Sequence, residues 1–151
     1  MTIATDQLKV VLLEDEDLLR GLLSEWLSGQ PDIELLDSFR SLEAFNASLH
    51  TSVQHADIII SALFLADGDG LDAILRVIAS HSKSQKLVVI SGRPTADLFD
   101  RLSNGMSGGW AFLLKNSNGL ANLRQALQAV QSGLVMVDPD LKKLSSSPGL
   151  S

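Results

Sequence analysis

The spacing of apolar residues along the chain switches repeatedly between two periods. Val10-Val11-Leu12-Leu13 is a short apolar run halted by Glu14-Asp15-Glu16-Asp17. A run of that length, partly β-branched and bounded by charge, predicts a buried strand. Leu18, Leu19, Leu22, Leu23, Trp26 and Leu27 then recur at helical spacing, and Gly29 and Pro31 mark the end of that helix. Ile33-Glu34-Leu35-Leu36 predicts a second strand, and Leu42, Phe45 and Leu49 a second helix capped by Ser41. Ile58-Ile59-Ile60 is the third strand. Asp67-Gly68-Asp69-Gly70 predicts a turn, followed by a helix with Leu71, Ile74, Leu75 and Ile78 on its inner face. Leu87-Val88-Val89-Ile90 is the fourth strand, closed by Ser91-Gly92. Pro94 suits the first turn of the next helix, with Leu98 and Leu102 inward, and Gly108-Gly109 breaks it. Trp110-Ala111-Phe112-Leu113-Leu114 is a fifth strand. Leu120, Leu123, Leu127 and Val130 mark a last helix, capped by Ser117 or Asn118 and ended by Gly133.

Five strands therefore alternate with five helices. Strands that read as unbroken apolar runs belong to a parallel sheet covered on both faces. With 151 residues the chain is too short for an eight-stranded barrel. The expected fold is α/β: a flavodoxin-like, doubly wound sheet of five parallel strands in the order 2-1-3-4-5, helices on both faces. The folded domain is expected over residues 1–134. Residues 135–151 form a linker-like tail, which turns polar beyond Pro139 with Lys142, Lys143 and Ser145-Ser146-Ser147-Pro148-Gly149.

Composition narrows the function. Hydrophobic residues at 45% and charged residues at 20% fit one globular domain rather than a disordered chain. A net charge of -6 repels phosphate backbones, so this segment is not expected to grip nucleic acid itself. The absence of cysteine removes disulfides, thiolate nucleophiles and Cys-based zinc sites, and fits a reducing cytosol. The first residues lack the basic and apolar regions of a signal peptide, and no apolar run is long enough to span a bilayer, so a cytoplasmic location is expected.

In an open parallel sheet, ligands bind beyond the carboxyl ends of the strands, at the switch in strand order. That rule collects Glu14 and Asp15 after strand 1, Ser61-Ala62 at the end of strand 3, Ser91-Gly92 after strand 4 and Lys115 after strand 5. Two adjacent carboxylates at one edge repel each other and favour a hard cation such as Mg²⁺ or a lysine partner. Other groups point to less. Asp67-Gly68-Asp69-Gly70 has no closing glutamate for a calcium loop, and His50, His55 and His81 are not at ligand spacing.

Val10-Val11-Leu12-Leu13-Glu14-Asp15, Asp69-Gly70-Leu71-Asp72, Ser91-Gly92 and the segment Gly108 through Lys115 occur in one order from about Lys9 to Leu134. In this the chain resembles the receiver domains of two-component response regulators. Gln30-Pro31-Asp32-Ile33-Glu34-Leu35-Leu36 resembles the second strand of the NarL/LuxR-type subfamily, which carries a C-terminal helix-turn-helix. The resemblance implies Glu14 and Asp15 as the metal-binding acids, and Ser91, Phe112 and Lys115 as the phosphate-sensing and switch residues. It implies a sensor histidine kinase as partner, a homodimer through the last helix with the fourth helix and fifth strand, and DNA contact only through a C-terminal domain outside this chain. Output would follow a two-state shift in which Ser91 and Phe112 move together.

Two positions depart from the family. The acceptor aspartate lies seven residues before the Asp of the Asp-Gly pair, and counting back from Asp69 lands on Ala62; Ala66 stands where a proline follows the acceptor. Asp57 begins the third strand, on the order of 16 Å from the site at about 3.3 Å per residue, and Asp67 lies in the loop beyond it. An alanine methyl cannot attack a phosphoryl group, and its presence removes one of three carboxylates around Mg²⁺, so metal binding is expected to be weakened. The expected function is a signal-receiver domain, not an enzyme, that aspartyl phosphorylation does not switch. Ala62 marks either a natural pseudo-receiver or an engineered block. Two alternatives stand beside it: a haloacid dehalogenase-like phosphatase with Asp15 as nucleophile, which lacks the Gly-Thr expected where Leu18-Leu19 stand, and a stand-alone interaction module independent of phosphorylation.

Overall fold

The computed structural model describes residues 7–80 and 85–141. His81 and the Lys- and Ser-rich part of the expected tail lie outside the described residues. Strand β1 (Leu8–Leu13) is followed by helix α1 (Asp17–Ser28), β2 (Ile33–Phe39) and a short α2 (Leu42–Ala47) that runs into a π-turn over Leu49–Val53. Then come β3 (Ile58–Ala62), a two-stranded hairpin of β4 (Phe64–Leu65) and β5 (Gly68–Asp69), and α3 (Gly70–Ser80). The second half holds β6 (Lys86–Ser91), α4 (Leu98–Gly105), β7 (Trp110–Leu114), α5 (Ser117–Ala121), α6 (Leu123–Gln131) and β8 (Val135–Val137).

The main sheet is parallel and ordered β2-β1-β3-β6-β7-β8. The strand order reverses between β1 and β3, which opens a crevice at their carboxyl ends. Neighbouring residues on each strand face opposite layers. Val10, Leu12, Ile58, Ile60, Val88, Ile90 and Leu113 pack with Leu23 and Leu27 of α1 and Leu123, Leu127 and Val130 of α6. Val11, Leu13, Ile59, Leu87, Val89 and Phe112 pack with Phe45, Ile74, Leu98 and Leu102 on the layer of α2, α3 and α4. Burial on both faces is why these strands carry no polar alternation.

The expected five-strand order is therefore present and gains a sixth strand. Val135-Met136-Val137 lay at the start of the expected tail, yet β8 pairs with β7 from Trp110↔Val135 to Phe112↔Val137. Gly133, at φ 81°, makes the reversal out of α6 that brings the strand alongside β7. Helix ends also differ from expectation. Ser41 caps α2 through its Oγ, which accepts the Ala44 N–H. The last helix is divided at Asn122, and its cap is Asn116, whose Oδ1 accepts the Gly119 N–H at 2.8 Å, rather than Ser117 or Asn118. Pro94 lies in the loop before α4, and the helix stops at Gly105, ahead of Gly108-Gly109, which shape the turn into β7 at φ 120° and 71°. Among the described residues no helix is long and apolar enough to cross a membrane.

Candidate functional site

The parallel strands deliver the chemistry-bearing residues to one edge. Glu14 follows β1 directly and its N–H donates to Phe39 O at the end of β2. Its side chain is 2% exposed. Lys115 follows β7, and its Nζ lies 3.1 Å from Glu14 Oε1 and 3.2 Å from Oε2. Glu16 supplies a second carboxylate, Oε1 at 3.5 Å from the same Nζ, while its N–H donates to Glu14 Oε2 at 2.9 Å. Burial pushes the Glu14 carboxyl above its ordinary range; the Glu16 N–H and the Lys115 ammonium pull the other way, and neighbouring Asp15 adds to the rise.

Asp15 has a different partner. Its Oδ2 accepts the Ala66 N–H at 2.9 Å and so fixes the turn of the β4–β5 hairpin. The two acids expected to share a cation are thus divided: Glu14 faces an ammonium and Asp15 a backbone amide. Among the described residues no group of three His, Cys, Asp or Glu is placed to hold a metal ion. Mg²⁺ needs near-octahedral oxygen donors. Glu14, with both oxygens on Lys115, and Asp15, held on an amide, do not offer that donor set.

Ala62 closes β3 opposite Ile90 and is 3% exposed. It lines a cleft of about 250 Å³ together with Glu16, Phe64, Ser91, Arg93 and Lys115. The Ser91 hydroxyl donates to Arg93 O at 3.0 Å and accepts the Arg93 N–H at 3.1 Å, and Ser91 O accepts the Lys115 N–H at 2.9 Å. Phe112 is fully buried one turn of pleat away, its ring edge-on to Phe99 of α4 at 6.0 Å between centroids. Phe99 also lies 6.0 Å from the Trp110 ring. Ala62, Ser91 and Lys115 line one cleft, Glu14 sits behind Lys115, and Phe112 stands in the core beneath. Glu16 and Arg93 were not singled out from the sequence: Glu16 entered only as part of the charge that stops β1, and Arg93 not at all.

Neither Asp57 nor Asp67 lines the Ala62 cleft. Asp57 precedes β3 at the opposite end, where its Oδ2 accepts the Lys9 N–H. Asp67 accepts the N–H groups of Leu42 and Glu43 at the start of α2, which hold its carboxyl below the usual range. Asp69 is gripped by Arg101 Nη2, 3.1 and 3.0 Å from its two oxygens, and by the Asp72 N–H. Burial alone would raise the Asp69 carboxyl; the Arg101 and amide contacts together outweigh that and hold it low. Asp67 and Asp69 therefore serve the hairpin and its neighbours, as a turn and not as a cation loop. His50 and His55 are exposed. A larger groove of about 620 Å³, lined by Lys9, Asp32, His55, Asp57 and glutamines, lies at the amino ends of the strands, away from these groups.

No family model matches the chain. Among curated proteins it is 26% identical over 135 residues to the oxygen regulatory protein NreC of Staphylococcus carnosus, covering 89% of this chain and 59% of that one. It is 27% identical over 107 residues to a protein-glutamate methylesterase/protein-glutamine glutaminase of Nitrobacter winogradskyi, covering 68% of this chain and 24% of the relative. The chain thus spans about a quarter to three fifths of the length of these relatives. Among solved structures it is similar to the isolated REC domain of RcsB from Salmonella enterica serovar Typhimurium, with a TM-score of 0.74, 17% identity, and 92% of this chain and 99% of that chain covered. A LuxR-family two-component response regulator from Aurantimonas sp. gives a TM-score of 0.72 at 16% identity, covering 97% of this chain and 100% of that one. The fold is that of response-regulator receiver domains.

Proposed function

We propose that the chain is a receiver module of the response-regulator type, not an enzyme, whose output does not depend on aspartyl phosphorylation. The observation that carries this reading is Ala62 at the end of β3, in one cleft with Ser91 and Lys115. A receiver built for phosphorylation needs a nucleophilic carboxylate there, and a methyl group offers no lone pair for in-line attack. The ammonium of Lys115 is already balanced by Glu14 and Glu16, so it requires neither a phosphoryl group nor a third acid. The domain rests in one arrangement, with Ser91 closed on its own loop and Phe112 packed on α4. Partners read its surface directly in the cytoplasm: a sensor histidine kinase by docking without transfer, a second copy of the chain, and DNA through a C-terminal helix-turn-helix domain beyond this segment. No observation favours the phosphatase reading, because Asp15 Oδ2 is held by the hairpin amide of Ala66.

Intact mass after incubation with Mg²⁺ and acetyl phosphate tests the reading. The chain as it stands is expected to gain nothing, and Ala62→Asp to gain one phosphoryl group. Phosphorylation of the unaltered chain would overturn the assignment of Ala62 and mapping would locate the true acceptor. If neither form is modified, the site has diverged as a whole and the link to a phosphorelay fails.

A further inference from the structure

Beyond the cleft, the free edge of β7 is occupied by a strand of the chain's own making. β8 is three residues long, and Val135 and Val137 remain 49% and 38% exposed, so burial alone holds it weakly. What fixes its end is Asp138, which is 1% exposed. The Asp138 N–H donates to Phe112 O at 2.8 Å, and its Oδ2 accepts the Leu114 N–H at 2.9 Å. Its Oδ1 accepts the Asp140 N–H at 2.8 Å, and its carbonyl accepts the Leu141 N–H at 3.0 Å. α5 closes on the same corner: a Cβ on Gly119 would stand 2.8 Å from Asp138 Oδ2 and 1.9 Å from Leu114 O.

Leu114 and Lys115 are consecutive, and consecutive residues of a strand bond to opposite neighbours. The Leu114 N–H goes outward to Asp138, and the Lys115 N–H inward to Ser91 O. Lys115 Nζ then reaches Glu14. Two successive residues thus join the buried ion pair to the anchor of the edge strand. We propose that β8 and the Asp138 turn form a latch that couples the segment from Val135 to Leu141 to the Glu14–Lys115 pair. Displacement of Lys115 loosens the Asp138 anchor, and release of β8 loosens Lys115, because a coupling between two sites acts equally in both directions. The latch does not rest on the receiver reading, and its test involves no phosphorylation.

Amide hydrogen exchange on the full chain reads the coupling in both directions, with β1 and β3 amides as the internal reference. Asp138→Ala is expected to speed exchange at Leu114 at least tenfold, and at Lys115 several-fold, with the reference unchanged. Lys115→Met is expected to speed exchange at Asp138 and Leu114 several-fold against the same reference. Asp138→Asn keeps an acceptor for the Leu114 N–H and should fall between the parent and Asp138→Ala. If Asp138→Ala does not fold, Glu14→Gln joins Lys115→Met as the second measurement from the side of the ion pair. Exchange at Asp138 and Leu114 within twofold of the parent in the ion-pair variants would overturn the proposal. So would release of β8 by Asp138→Ala with Lys115 exchange unchanged.

Discussion

Glu14 is where burial and charge pull hardest against each other. Its side chain is almost wholly removed from water, and only Lys115 and the Glu16 amide repay that desolvation. Lys115→Met should therefore destabilise the domain by about 2 kcal/mol near pH 8, less than for a fully buried pair because the lysine side chain is one-fifth exposed. The sign of the pH dependence follows from the raised Glu14 carboxyl. A group raised in the folded state contributes stability that is complete below its ordinary value of 4.5 and is lost as the pH climbs through the raised one. Removing the ammonium raises that carboxyl further, so the cost of Lys115→Met should be smaller at pH 5 than at pH 8 in urea unfolding. An equal cost at both pH values would mean that the lysine acts by packing alone. Gly119 makes a steric prediction of another kind. A methyl 1.9 Å from Leu114 O cannot be accommodated without moving α5 off β7. Gly119→Ala should cost at least about 2 kcal/mol, in the range of overpacked cores, read as a lowered Tm.

At the scale of elements, what local chemistry can decide was legible and what pairing decides was not. Trp110–Leu114 is a strand by its own composition, and it is observed over those residues. Ser41 was legible as a cap because a hydroxyl before an apolar-periodic segment satisfies an orphan amide. Its replacement by alanine should cost about 1 kcal/mol in urea unfolding, and Asn116→Ala about the same for α5. Asn116 was missed because three polar residues in a row, Asn116-Ser117-Asn118, offer equivalent caps by sequence. The close approach of Gly119 to Leu114 O sets the start of the helix. β8 was missed for a related reason. Val135-Met136-Val137 fall after the alternation of five strands and five helices is already complete, and only the β7 edge makes a strand of them. The site divided in the same way. Edge placement of Glu14, Ser91 and Lys115 followed from the doubly wound topology. The turning of Asp15 toward Ala66 depended on where the β4–β5 hairpin lay, and the entry of Glu16 as second counter-ion on where Lys115 lay.

For the whole molecule, the distribution of carboxylates sets the response to acid. Asp17 is held below the ordinary range by Arg20, Asp32 by Arg124, Asp67 by the amides of Leu42 and Glu43, and Asp69 by Arg101 and the Asp72 amide against its own burial. Groups lowered in the folded state contribute stability that is present above their ordinary value of 3.8 and is lost as the pH falls through their lowered values. Glu14 runs the other way, favouring the folded state as it gains its proton. The net charge of -6 adds self-repulsion at neutral pH that also relaxes on acidification. The urea midpoint should therefore stay level or rise slightly from pH 7 to 5, then fall steeply below about pH 4 as four carboxylates lose their partners together. Salt separates the contributions. About 0.5 M NaCl shortens the Debye length to a few ångströms, which weakens the exposed Asp17–Arg20 and Asp32–Arg124 pairs. It leaves the amide bonds to Asp67 in place, because these are hydrogen bonds across a helix end and not ion pairs across solvent. The acid slope should accordingly become shallower in salt without disappearing, and Asp67→Asn should remove part of what remains. A midpoint that keeps rising below pH 3.8 would show that relief of self-repulsion, and not the loss of these anchored carboxylates, governs the acid limb.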